Sequence, residues 1–431
     1  MKRTHSIRIY LIITFIFILG IQFTQAQQDN WTHFRGSNLN GIATIAKAPV
    51  LWNDSTNILW KTNIEGKGWS SPVVFGNQIW LTTALDNGKK MIGVCLDVDS
   101  GKKIYDLTLF QPDTIQSKHS MNTYATPTCC IEEGFVYVHF GTYGTACVNT
   151  SNGEVVWKRT DLRCQHAQGP GSSPILYKNL LILHFDGTDV RYVVALDKKT
   201  GKTVWKVNRP EELYKGMAPI AKKAYITPII VNVKGKDLLI SNASTACIAY
   251  EPETGKEVWR IVNGHETTIA SPIEEKGTIY YFTSWMAAKP DEEQYIDLVA
   301  ANPDGKGDIT KTNVLWKINK PIDQLSSAVV KDGKIYFVDS KNVLFCLDAK
   351  TGKEIYSEKM KQKYNASPIY AAGNIYFTSV KGETTVIKAG DKLQVVAENK
   401  LTVGEVYSTP AFVRNSMLFR SDKSLYRIET K

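Results

Sequence analysis

The feature that most limits how this chain can fold is a hydroxyl residue at the head of a short β-branched run, met eight times. Ser71, Thr126, Ser173, Thr227, Ser271, Ser327, Ser367 and Thr409 hold the place, and Pro follows each except Ser327, where Ala328 follows. The interval is roughly 40–56 residues, the period of radially repeated four-stranded units. A ring of like units has one unusual place, the central channel and its rim.

Each unit reads alike. An apolar strand such as Pro72-Val73-Val74-Phe75 meets a turn at Gly76-Asn77, and a second strand follows, Ile79-Trp80-Leu81 in the first unit and Ile335-Tyr336-Phe337 in a later one. The third strand ends in a turn of Asp-x-x-Thr-Gly-Lys type, and the fourth ends in an aromatic. Asp197, Thr200, Gly201, Lys202 and Trp205 give the full pattern, and Glu251 to Trp259, Asp97 to Tyr105, Asn149 to Trp157 and Asp348 to Tyr356 keep its eight-residue interval. Asp or Asn opens such a turn through a side-chain bond to the backbone, and Gly supplies the positive φ that closes the hairpin. The closing aromatic is expected to fill the wedge between neighbouring blades.

The last unit holds three strands after Thr409, and Asn57-Ile58-Leu59-Trp60-Lys61, ahead of the first unit, reads as an orphan fourth. The expected fold is therefore all-β: an eight-bladed β-propeller of four-stranded antiparallel blades, the last closed by an N-terminal strand, which leaves no open edge. The expected division is 1–26 signal peptide, 27–56 N-terminal extension and 57–431 propeller. Lys2, Arg3 and Arg8, the apolar Ile9 to Ile21 and Thr24-Gln25-Ala26 make the signal, so a periplasmic or secreted protein cleaved near Ala26 is expected, with no transmembrane segment in the mature chain. Without the leader, 49 basic residues face 42 acidic ones, a net +7. These charges are spread over turns, whereas nucleic-acid binding requires a concentrated basic face. No nucleic-acid partner is expected, and the propeller is read as a monomer.

Cys95, Cys147 and Cys346 share their repeat position with Ala195 and Ala249, which marks a small buried slot for packed thiols. Cys129 and Cys130 are adjacent, and in a strand alternation sends neighbouring side chains to opposite faces. The stretch Asn302 to Asp308 is acidic and Gly-rich, yet Lys306 stands where a Ca²⁺ loop needs an oxygen and no Glu closes it; it is read as an enlarged turn. The histidines offer no zinc pattern, so no metal and no catalytic residue is assigned.

The repeated Asp-x-x-Thr-Gly-Lys-x-x-Trp turn resembles that of the pyrroloquinoline-quinone (PQQ) repeat propellers. Trp31-x-x-Phe34-Arg35-Gly36-x-x-x-Asn40-Gly41 and Gly307-Asp308-Ile309-Thr310 resemble a subgroup of exported bacterial PQQ-like proteins. The likeness implies the fold, and two branches imply different activities. Quinoprotein dehydrogenases hold PQQ and Ca²⁺ on the axis and carry a vicinal disulfide beside them, which makes Cys129, Cys130 and the platform rings Trp69 and Trp285 the cofactor candidates. The other branch, similar to the propeller subunit of the outer-membrane β-barrel assembly machinery, has no cofactor and binds proteins.

The expected function is a non-enzymatic scaffold that binds a protein or cell-envelope partner through the channel rim, without cofactor. The alternatives are a PQQ- and Ca-dependent alcohol or sugar dehydrogenase, or a small-molecule or glycan binder at a His-rich mouth. His119 and His166 precede their repeat's Pro by eight residues and His265 by seven; Trp69, Tyr124, Tyr225 and Tyr407 precede it by three. With Lys67 and Arg163 these make the candidate surface, since rings beside cations form protein-binding hot spots. The eight hydroxyls are expected to satisfy backbone groups.

Overall fold

The computed structural model describes residues 30–285, 295–320 and 326–430. The expected signal peptide lies outside these residues, and so does the side chain of Trp285. Eight antiparallel four-stranded sheets stand in a ring. The first blade comprises Val73–Phe75, Gln78–Leu85, Lys90–Asp97 and Lys103–Phe110, and the second Cys130–Glu132, Phe135–His139, Thr145–Asn149 and Val155–Arg159. Later blades repeat the plan, and in all but blade four the innermost strand is the shortest. Gly307–Asp308 adds a short parallel strand outside blade four, against Trp259 and Arg260, so the enlarged turn also seals a blade edge.

Closure is as expected. Ile58–Asn63 runs antiparallel to Ser424–Glu429, with Trp60 opposite Arg427 and Thr62 opposite Leu425.

Neighbouring blades lock together through aromatic rings carried on outer strands. Trp157 Nε1 donates to the Lys198 carbonyl at 2.9 Å, Trp205 to Pro252 at 2.9 Å, Trp316 to Ala349 at 3.1 Å and Trp60 to Val98 at 2.9 Å. Every acceptor lies in the next blade's turn. The turn glycine is needed twice over there. Gly201 has φ +71°, and a Cβ on it would stand 2.7 Å from the Trp157 ring. Across the ladder each ring faces a small residue: Cys95 pairs with Tyr105, Cys147 with Trp157, Ala195 with Trp205, Ala249 with Trp259 and Cys346 with Tyr356. That pairing explains the Cys-or-Ala slot, because the ring takes the volume a larger side chain would need.

The hydroxyls form a closed circuit. Ser71 N–H donates to Thr128 Oγ1, Thr128 N–H to Ser173, Ser173 N–H to Thr227, and so on through Ser271, Ser327, Ser367 and Thr409, whose N–H returns to Ser71 Oγ; all eight bonds are 2.9–3.1 Å. Blade two corrects the sequence reading. Its ring member is Thr128, not Thr126, so Cys129 takes the place of the usual Pro. Thr126 points elsewhere, its hydroxyl donating to Asn122 Oδ1 at 2.5 Å.

Residues 30–43 lie against the inner strands. Trp31 exchanges two backbone bonds with Val74, Ile131 N–H reaches the Thr32 carbonyl at 3.0 Å, and Tyr370 N–H reaches Gly41 at 2.8 Å. Leu176 N–H donates to His33 Nε2 at 3.1 Å. All four blade residues stand three places after their ring hydroxyl, so the segment occupies one level of the channel. It spans from blade three at His33 to blade six at Arg35, whose Nη2 donates to the Ala328 carbonyl. Ile42–Ala43 then adds a parallel strand to blade seven.

Candidate functional site

The axial cavity holds about 450 Å³, within the range of small-ligand pockets. Its levels follow from the repeat. The hydroxyl ring forms a belt, Phe34 of the crossing segment contributes to the wall, and two residues before seven of the eight hydroxyls a second belt carries Trp69, Thr126, Gly171, Tyr225, Ile269, Asn365 and Tyr407. His119, Met121, Asn122, Gln168 and Glu266 line it further along the connecting loops.

Of the expected rim residues, the structure brings Trp69, His119, Tyr225 and Tyr407 to the cavity wall. Trp69 and Tyr407 pack at 4.8 Å between centroids with a 31° tilt, and Trp69 Nε1 donates to the Met121 carbonyl at 3.0 Å. Tyr225 donates its hydroxyl to Gln168 Oε1 at 2.7 Å, and burial raises its pKa. Lys67 is exposed at the edge, 5.6 Å from the Trp69 ring and 3.6 Å from Glu405.

The others stand apart. Tyr124 is buried between blades one and two, edge-on to Tyr143 at 5.9 Å, with Lys118 5.7 Å from its ring. Its offset from the mouth follows from the two-residue slip at Thr128. Burial, and then the neighbouring Lys67, lowers the Lys118 pKa. Arg163 is exposed and bonds the Thr160 carbonyl at 3.0 Å. His265 is exposed but does not line the cavity. His166 lies in the interior, because its loop turns inward, and Thr142 N–H donates to its Nε2 at 2.9 Å. Equal distance from Pro did not give equal position, since the connecting loops differ in length and path.

Cys129 and Cys130 are free thiols, both fully buried. Cys129 packs in the core between blades one and two, and Cys130 in that between two and three. Burial pushes the Cys129 thiol up to about 12 and raises Cys130 as well. Neither lines the axial cavity.

Behind Tyr225 sits a polar cluster that sequence spacing did not reveal. His139, His166, His184, Asp186 and Lys223 surround a void of about 10 Å³, room for one water. Arg209 grips Asp186 with two bonds of 2.8 Å. Burial works to raise the Asp186 carboxyl, but Arg209, His184 and Lys223 outweigh it and hold the group below the usual carboxylate range. Burial alone takes His139 to about 3, and with Arg209 it does the same for His184. Lys223 is brought to about 8 by burial, and its Nζ lies 4.1 Å from the Tyr225 ring centre. The sequence signal was available in part: His139, His184 and Asp186 sit on second strands, where repeats otherwise place apolar residues.

The donor set of the cavity is one carboxylate, Glu266, one imidazole, His119, three amides, and hydroxyls, with no Lys or Arg side chain on the wall among the described residues. No group of three or more His, Cys, Asp or Glu placed to hold a metal ion occurs among them.

Comparison with known proteins places this geometry. The solved structure of BamB from Moraxella catarrhalis superposes with a TM-score of 0.59 at 9% identity, over 86% of this chain and 99% of that one. The computationally designed Ika8 protein superposes equally well, TM-score 0.59 at 11% identity, with the same coverage. The dehydrogenase subunit of the quinone alcohol dehydrogenase from Komagataeibacter europaeus is 23% identical over 328 residues, which is 67% of this chain but 42% of that protein. Subunit 1 of the cytochrome c methanol dehydrogenase from Methylorubrum extorquens is 25% identical over 243 residues, 54% of this chain and 30% of its own. The chain thus spans less than half the length of these curated relatives. The model of the family described as outer membrane protein assembly factor BamB matches residues 48–212, 189–301 and 306–402, and the chain belongs to that family.

Proposed function

We propose that this protein is a non-enzymatic scaffold of the cell envelope that binds protein partners through the open mouth of its channel. The observation that carries the reading is the mouth itself: Trp69 and Tyr407 pack together there beside Lys67, Tyr225 lines the same cavity from the entry to blade four, and the inner strands further along are occupied by residues 30–43. Aromatic rings with a cation at the edge of a cavity supply the anchor and rim of a protein interface. Family membership supports the reading, and no helix among the described residues is long and apolar enough to cross a membrane.

The dehydrogenase alternative draws support from the quinone-dependent relatives. The residues present do not fit its metal. Calcium takes six to eight oxygens, several from carboxylates, and Glu266 is the one carboxylate on the cavity wall among the described residues. The adjacent thiols face two different inter-blade cores, and neither lines the axial cavity.

Cross-linking in intact cells, followed by capture of the tagged protein, tests the proposal. Wild type is expected to retain a partner that a Lys67→Glu, Tyr407→Ala variant loses. Stoichiometric binding of PQQ with Ca²⁺, together with dye-linked alcohol oxidation, would overturn it.

A further inference from the structure

The geometry points to a binding site for a small monovalent anion, a halide or a carboxylate head group, at the hydroxyl belt of the axial cavity. This inference concerns the belt and not the rim, so it stands independently of the partner-binding reading.

The belt is rich in donors. Each of its eight hydroxyl oxygens accepts a backbone N–H from the neighbouring blade. A hydroxyl has one proton to give, and among the described residues none of these eight donates it to a protein acceptor. The circuit thus spends acceptor capacity on the backbone and leaves protons for whatever occupies the cavity.

Two buried cations flank the belt without a counter-charge. Arg35 is 0% exposed; its Nη2 donates to the carbonyl of Ala328, next in sequence to belt residue Ser327, while its Nε and Nη1 have no partner. Arg420 is 2% exposed; its Nη1 donates to the carbonyl and hydroxyl of Ser70, next to belt residue Ser71, and its Nε is unpartnered. Among the described residues neither forms an ion pair. A buried charge left without an opposite one costs several kcal/mol, and both guanidinium groups are lowered to about 9 by burial. Elsewhere in this protein a buried arginine is paired, as Arg209 is with Asp186. Glu266, the carboxylate on the wall, lies five residues before belt residue Ser271, displaced from the belt along the connecting loop. An anion at the belt accepts hydrogen bonds from the hydroxyls that face it and offsets the field of the two cations, which lie behind the wall and not on it.

Two measurements on the whole protein test this. Crystals grown with sodium bromide are expected to give an anomalous peak inside the axial cavity at the belt. In solution, the chloride-35 resonance is expected to broaden saturably and to sharpen again when formate is added, which would extend the site to carboxylates. Arg35→Gln is expected to weaken chloride binding, since it removes a buried positive charge beside the belt. Bromide peaks confined to surface lysines, or chloride broadening that neither saturates nor responds to formate, overturn the inference. The crystal result needs no variant, so it decides even if Arg35→Gln fails to fold.

Discussion

Replacing Gly201 by Ala separates two costs that the fold normally hides together. The residue has φ +71°, so any side chain there strains the backbone by about 1–2 kcal/mol. Its new Cβ would also meet the Trp157 indole at 2.7 Å. The ring would have to move, putting at risk its 2.9 Å bond to Lys198, about 0.5–1.5 kcal/mol, and adding overpacking of about 1–3 kcal/mol. Gly235 isolates the first cost, with φ +83° and nothing within 4 Å of its Cβ position. Gly201→Ala should therefore destabilise the protein by about 1.5–4.5 kcal/mol more than Gly235→Ala does. Urea unfolding followed by tryptophan fluorescence and circular dichroism measures the difference. Losses equal to within about 0.5 kcal/mol, the usual scatter for independent sites, would refute inter-blade docking as the reason for this glycine.

Further outcomes follow from the belt and the buried cluster. Thr227→Val keeps the shape of the residue but leaves Ser173 N–H without its acceptor, and should cost about 1–3 kcal/mol in urea unfolding. Asp186→Asn leaves Arg209 buried beside a neutral amide and should lower stability by about 3–5 kcal/mol, a loss that a paired Arg209→Met variant recovers in part. Four histidines, His33, His139, His166 and His184, are buried with lowered pKa values. They bind protons in the unfolded chain before they do in the fold, so their contribution is whole above the unfolded value near 6.5 and falls as the pH drops below it. Between pH 6.5 and 5.5 the loss is about 1 kcal/mol each; midpoints of urea unfolding at the two pH values, in wild type and in His139→Gln, check this.

What could be read from the sequence was whatever repeats. The turn pattern gave the blade, the eight hydroxyl positions gave the ring, and the orphan strand before residue 63 gave the closure. Blade two misled because Thr126-Pro127 imitates the mark two residues early. The interval to the turn glycine carried the right answer: Gly277, Gly333 and Gly373 each follow their hydroxyl by six residues, and six before Gly134 is Thr128. The grouping of His119, His166 and His265 failed because it measured distance along loops that do not repeat. The path of residues 30–43 was hidden for another reason. Its hydrogen bonds go to Val74, Ile131, Leu176 and Tyr370, which become neighbours only once the ring exists.

The pairing of Ile58–Asn63 with Ser424–Glu429 joins a strand made ahead of the first blade to one made long after it. The first of these strands must wait, unpaired, while some 360 residues are made. Seven blades can form in order as they emerge, but the eighth has no outer strand until the chain doubles back on its own beginning. A chain stalled or truncated late in synthesis would therefore present two raw sheet edges at once, and quality control would meet it as an open arc ready to pair with a second such chain.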